Sequence, residues 1–186
     1  MADPITLGVL GTLAATEGIK FLYNQAAELI KAYRERKKNR EEQAAESPVL
    51  DVPIKGDQVL DAPPAEGRAD VQVLAEHEPK IVELHSRLTP YANDLADVPV
   101  DDAELSARVD ELRGLLEAVY GQRLTFRGEH REPTGTRVTV RQVLTEVAGK
   151  VVGVQEVSGG ADVSVEQKSE TVTETGSILG VDKIKG

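Results

Sequence analysis

Residues 149–159 read GKVVGVQEVSG, and residues 176–186 read GSILGVDKIKG. At an offset of 27, Gly149, Gly153, Val154 and Gly159 fall on Gly176, Gly180, Val181 and Gly186. Val151 falls on Ile178, Val152 on Leu179 and Val157 on Ile184. The likeness continues upstream at an offset of 25, where Val140, Gln142 and Val147 fall on Val165, Gln167 and Val172. Two residues are thus inserted before the second core. Each unit reads as strand, turn, strand, rich in Val and Thr and bounded by Gly. One such unit is marginal in water, and a second copy stacked on it buries its apolar face. The repeats 140–159 and 165–186 predict a small antiparallel β domain over residues 122–186. Open edges rich in Val and Thr also template another chain. Gly149, Val151, Gly153, Val154, Gly176, Ile178, Gly180 and Val181 are therefore the candidate assembly residues. Two readings stand: a closed meander or barrel within one chain, or a self-assembly module, ring-forming or stacked.

Before residue 122 the period is helical. DPITLGVLGTLAATEGIKFLYNQAAELIKAYRERKKNREE, residues 3–42, reads as one long helix. Asp3 is a suitable N-cap and Pro4 suits the first helical position. From Ile5 to Thr16 no side chain is charged. That run is shorter than the roughly 20 residues a bilayer crossing needs. Gly8, Gly11, Ala15 and Gly18 form a seam of small residues that permits close approach. Ile19, Leu22, Ala26, Leu29 and Tyr33 form an apolar stripe at helical spacing. The bland reading is the central helix of a soluble bundle. The sharper one is a helix that engages lipid through Ile5, Leu7, Gly8, Val9, Leu10, Gly11, Leu13, Ala15, Gly18 and Phe21.

The basic residues follow this run. KAYRERKKNR, residues 31–40, carries Lys31, Arg34, Arg36, Lys37, Lys38 and Arg40 against one acid, Glu35. Residues 41–186 carry 15 basic and 28 acidic side chains. This is one positive collar on a chain of net charge −10. Such a field disfavours nucleic acid as a partner and leaves an anionic membrane open to the collar. A secretory signal puts its basic residues before its apolar core, whereas here Asp3 precedes it. The expected location is the cytoplasm, with relocation to the inner face of the membrane.

Residues 46–69 hold four prolines and read as a linker, with VLDVP (49–53) and VLDAP (59–63) conceivable as a short hairpin. Over residues 70–95 a short helix is expected, then a second opened by Pro79, with the stripe Ile81, Leu84, Leu88, Tyr91 and Leu95 and a kink or end at Pro90. A third helix follows, capped by Asp101 or Asp102. It carries Leu105, Val109, Leu112, Leu116 and Val119 on one face and stops at Gly121. The resulting class is α+β. Residues 1–45 form a long helix, 46–69 a linker, 70–121 a helical hairpin completing a bundle, and 122–186 the β domain.

No motif for nucleotide binding, nucleophilic catalysis or metalloprotease chemistry occurs. Cysteine is absent, which removes disulfides and thiolate metal sites. His77 and His85 stand two helical turns apart, and His130 lies in a charged loop with no nucleophile tied to it by spacing. No catalytic, cofactor-binding or metal residue is assigned, and an enzyme is not expected.

An apolar, Gly-containing first helix (ITLGVLGTLAAT), a basic segment at 31–40 and β repeats at 140–159 and 165–186 resemble the HeLo-like cell-death effectors, above all their bacterial Bell-type counterparts. The resemblance implies a first helix that attacks membranes and a C-terminal repeat that mediates ordered assembly. It leads to the expectation of a non-enzymatic, oligomerising, membrane-directed effector. Its partner is itself; an anionic membrane and an upstream protein are the other candidates. The alternative is a soluble structural or adaptor protein whose β tail forms a symmetric oligomer or docks a partner.

Overall fold

The computed structural model describes residues 7–39, 47–56, 58–147, 150–158, 162–172 and 177–185, with side chains in residues 10–136 of those ranges. The element order is α1 (Leu7–Asn39), β1 (Val49–Asp51), β2 (Arg68–Asp70), α2 (Val71–Ala92), α3 (Ala103–Tyr120), β3 (Gln122–Arg123), β4 (Gly135–Val147), β5 (Lys150–Ser158), β6 (Asp162–Val172) and β7 (Ser177–Lys185). The class is α+β with a long first helix. Two compact units divide it, Met1–Thr134 and Gly135–Gly186.

In the first unit α1, α2 and α3 enclose one aliphatic core. The stripe Ile19, Leu22, Ala26, Leu29 and Tyr33 is buried along α1. Leu105, Val109, Leu112, Leu116 and Val119 are buried along α3. Asp102 caps α3 by accepting from the amides of Glu104 and Leu105. Gly121 ends it in the left-handed conformation.

Helix α2 differs from expectation. It is one helix, not two, and Pro79 and Pro90 both lie inside it. Asp70 caps it, accepting from the amides of Gln72 and Val73. An internal proline costs about 3 kcal/mol. Burial of Leu74, Ile81, Leu84 and Leu88 offsets that cost, at about 1.5–3 kcal/mol per side chain. Tyr91 is half-buried at the end of this stripe, and Leu95 lies beyond it, 77% exposed.

The segment read as a linker is part of the core. Val52, Ile54, Leu60 and Ala69 are buried in the same cluster as the helices. The conceived hairpin between the two VLD stretches is replaced by another pairing. β1 runs antiparallel to β2, with Leu50 opposite Ala69. Leu60, from the second stretch, instead bridges to Phe126. Gln25 fixes the segment from α1, donating to the Pro53 carbonyl and to the Tyr120 hydroxyl and accepting from the Lys55 amide.

The β domain begins later than residue 122, because residues 122–134 fold onto α3. Leu124 and Phe126 are core residues. Arg113, 1% exposed, donates twice to Glu129 at 2.7 and 2.8 Å and once to Asp110 at 2.7 Å. Glu129 also accepts from the Phe126 amide, and Glu117 accepts from the Leu124 amide. Every charge in this buried network thus has a partner, the condition for tolerating it at all.

In the second unit the repeats are the pairing partners. β4 pairs with β6, with Val140 opposite Val165 and Val147 opposite Val172. β5 pairs with β7, with Val151 opposite Ile178 and Val154 opposite Val181. The offsets of 25 and 27 read from the sequence are the strand registers. Antiparallel pairing is the expectation for this region, but both repeat pairings are parallel. The reason is geometric. A copy stacked on its equivalent by translation keeps its direction, so like residues meet only in a parallel ladder.

Candidate functional site: helix front, basic collar and paired repeats

Helix α1 has two parts. At Gly11 the backbone leaves the helical region, with φ 75° and ψ 157°. A residue with a Cβ adopts a positive φ only with strain, so glycine marks the break. Around it Gly11, Thr12 and Leu13 are exposed, and Leu13 is the most exposed large apolar residue described, at 78%. The core begins at Ala15, fully buried.

The ten residues proposed to meet lipid therefore divide. Ile5 lies outside the described residues, and Leu7, Gly8 and Val9 are placed by backbone alone in the first turn of α1. Leu10 packs partly against the core, while Gly11 and Leu13 face outward. Ala15, Gly18 and Phe21 are core residues in this fold, which corrects their reading as lipid-facing. Phe21 meets Phe126 edge-on, with ring centroids 6.3 Å apart. Gly18 lies against the same ring: a Cβ there would stand 3.1 Å from Cε2 of Phe126. The small-residue seam is thus divided, its second half serving close packing under Phe126.

The collar occupies the last turns of α1. Arg34 and Lys37 each reach Glu78 of α2 at 3.7 Å. Lys37 also lies over the Tyr33 ring, 5.0 Å from its centroid. Arg36 donates to the carbonyls of Ser47 and Val49. Lys31 and Lys38 are exposed, and Arg40 lies outside the described residues. Arg36, Lys37 and Lys38 lie in the last turn of α1, where the macrodipole is negative.

Between α1 and α2 the collar borders a groove of about 410 Å³. Ala27, Ile30 and Val82 form its apolar walls, and Lys31, Arg34, Lys38 and Glu35 its charged border. His85 also lines it, its imidazole stacked on Tyr23 at a centroid distance of 4.0 Å. Burial holds the His85 pKa below its ordinary value, so the ring is neutral at pH 7. Among the described residues His85 Nε2 has no hydrogen-bond partner. An apolar trough bordered by cations suits an anionic amphiphile.

The candidate assembly residues lie in the paired strands. Val151 is the register partner of Ile178 across β5 and β7, and Val154 that of Val181. Gly153 and Gly180 occupy equivalent places between the pairs Val152–Leu179 and Val154–Val181. Gly149 and Gly176 lie outside the described residues.

Sequence reasoning passed over two features here. Arg113 and Glu117 follow Val109 at steps of four, so helical spacing alone places both charges on the buried face of α3. The groove lining from α2, Val82 and His85, carries no motif. It exists only because α2 packs beside α1.

No protein-family model, no curated protein and no solved structure matches this chain. Among the described residues no helix is long and apolar enough to cross a membrane. No group of three or more His, Asp or Glu side chains gathers there that could hold a metal ion.

Proposed function

We propose that the chain is a non-enzymatic, oligomerising protein directed to membranes, with the order of parts of the cell-death effectors it resembles. The front of α1 engages lipid, the collar meets anionic headgroups, and the paired repeats gather copies. The observation that carries this reading is the burial boundary in α1. Among the described residues of the uncharged stretch Leu10 packs partly against the core, full burial begins at Ala15, and Leu13 between them is 78% exposed. A helix whose only role was to fill a bundle would bury that stretch. One copy offers too little apolar length to cross a bilayer. Several copies held together present many anchors at high effective concentration, which converts weak single contacts into firm attachment.

The competing reading, a soluble structural or adaptor protein, draws support from Ala15, Gly18 and Phe21, which are committed to the core. Under the membrane reading those three stay in the bundle, and residues ahead of Ala15 act.

The test is vesicle binding by the double variant Lys31→Glu, Lys38→Glu. Both side chains are exposed, so the fold should persist. Each basic charge near an anionic surface contributes about 1 kcal/mol, so binding to phosphatidylserine vesicles should fall by at least tenfold. Binding to phosphatidylcholine vesicles should change little. Equal loss on both vesicle types, or no loss on either, would count against the collar as a headgroup contact.

A further inference from the structure

The core stripes of α1 and α2 each have a neighbouring stripe. Ala27 and Ile30 follow buried Ala26 and Leu29 by one residue, and Val82 and His85 follow buried Ile81 and Leu84 by one. One residue turns a helix by about 100°, so these four form a second, narrower seam beside the core. They are the floor of the groove of about 410 Å³. Two contacts tie its walls together. Arg34 reaches Glu78 at 3.7 Å, and Tyr23 stacks on His85. The later residue of α1 thus meets the earlier residue of α2, so the two helices run antiparallel here and the groove follows both axes.

The border is basic on the α1 side. Lys31 and Lys38 stand seven residues apart, about two turns and about 10.5 Å along the axis. Both are exposed, with Glu35 between them. The floor also holds an unanswered polar atom, His85 Nε2, which is buried and has no partner among the described residues. A neutral imidazole nitrogen either donates or accepts, and a hydroxyl can answer both.

We propose that this groove docks an acidic amphipathic helix of another protein, laid along α1 and α2 as a further helix of the bundle. Its apolar residues, at steps of three and four, enter between Ala27, Ile30 and Val82, the way a helix fills the groove between two others. Two acids seven residues apart on one flank meet Lys31 and Lys38. A Ser or Thr on the apolar face reaches His85 Nε2. A single-chain lipid fits less well, because three aliphatic side chains shelter only a few methylenes and leave the rest of the chain in water. The net charge of −10 repels an acidic partner elsewhere, so the collar selects both the partner and its place. The contact needs neither the front of α1 nor the repeats, so it stands or falls apart from the membrane reading.

The test uses the full chain and a stapled synthetic helix of about 14 residues, roughly 21 Å long. One face of the peptide carries Trp, Leu, Ala and Ser, and one flank carries glutamates seven residues apart. The chain has no Trp, so the peptide's emission alone reports entry into an apolar site. Saturable binding with a blue shift is expected. Lys31→Glu with Lys38→Glu should weaken it by roughly tenfold or more, since two attractions become two repulsions. Ala27→Gln fills the floor without changing charge and should weaken it by a similar factor. Its thermal melt and its binding to phosphatidylserine vesicles should match the wild type. Loss on charge reversal with none in Ala27→Gln would overturn the groove as the site. Equal loss of peptide and vesicle binding in Ala27→Gln would make the groove a lipid site and overturn the protein partner. No peptide binding up to about 1 mM, where association is worth only about 4 kcal/mol, would overturn the proposal outright.

Discussion

Leu13→Asp separates the fold from the membrane role. The side chain is 78% exposed, so its loss leaves no cavity. Surface substitutions of this kind stay within about 0.5 kcal/mol of stability. Full burial of a leucine is worth about 1.5–3 kcal/mol, so the open part of Leu13 has about 1–2 kcal/mol to give to lipid. An aspartate gives up that term and adds a charge that anionic headgroups repel, at about 1 kcal/mol near the surface. The sum of about 2–3 kcal/mol corresponds to a roughly 30- to 150-fold weaker partition, at 1.4 kcal/mol per decade. Co-sedimentation with phosphatidylserine vesicles measures the partition, and a thermal melt measures the fold. Ala15→Asp is the contrasting case: that position is fully buried, and a charge there should unfold the bundle. If Leu13→Asp melts like the wild type and still binds vesicles as tightly, the helix front has no part in lipid contact.

Three further outcomes follow from the first unit. Arg113→Met leaves Glu129 and Asp110 without their guanidinium in a buried site and should cost about 3–5 kcal/mol, read from the urea midpoint. Gly18→Leu forces a side chain into the Phe126 ring and should destabilise by about 1–3 kcal/mol, whereas Leu at exposed Gly114 should not. The lowered His85 pKa means that the unfolded chain takes up a proton more readily than the folded one. Its contribution is therefore complete above the ordinary value of 6.5 and declines as pH falls through that value toward the folded pKa. The melting temperature should drop between pH 7 and 5, and His85→Phe, which keeps a ring against Tyr23, should remove part of that drop.

Periodicity made much of this fold legible. The stripes of α1 and α3 are buried residue for residue because a step of three or four fixes a helix face regardless of what covers it. The repeat offsets were legible as strand registers for a similar reason, since like residues align under translation. Strand direction was not legible, because period-two patterns are the same in parallel and antiparallel ladders. The prolines misled twice. Pro79 looked like a helix start, but apolar residues on both sides bury on one face and carry the helix through it. The prolines of 46–69 looked like a linker, but Val52, Ile54 and Leu60 between them reach the core. At the candidate site, the uncharged run and the collar were visible in sequence. The packing of Gly18 and Phe21 depends on where Phe126 returns, more than a hundred residues later.

The most direct test of the account is dye release from phosphatidylserine vesicles by the assembled chain, compared with a chain lacking residues 2–13. The shortened chain keeps Ala15 and the whole core stripe, so it should fold and assemble. Release is expected from the full chain and none from the shortened one. Equal release from both would place the membrane activity elsewhere and contradict it.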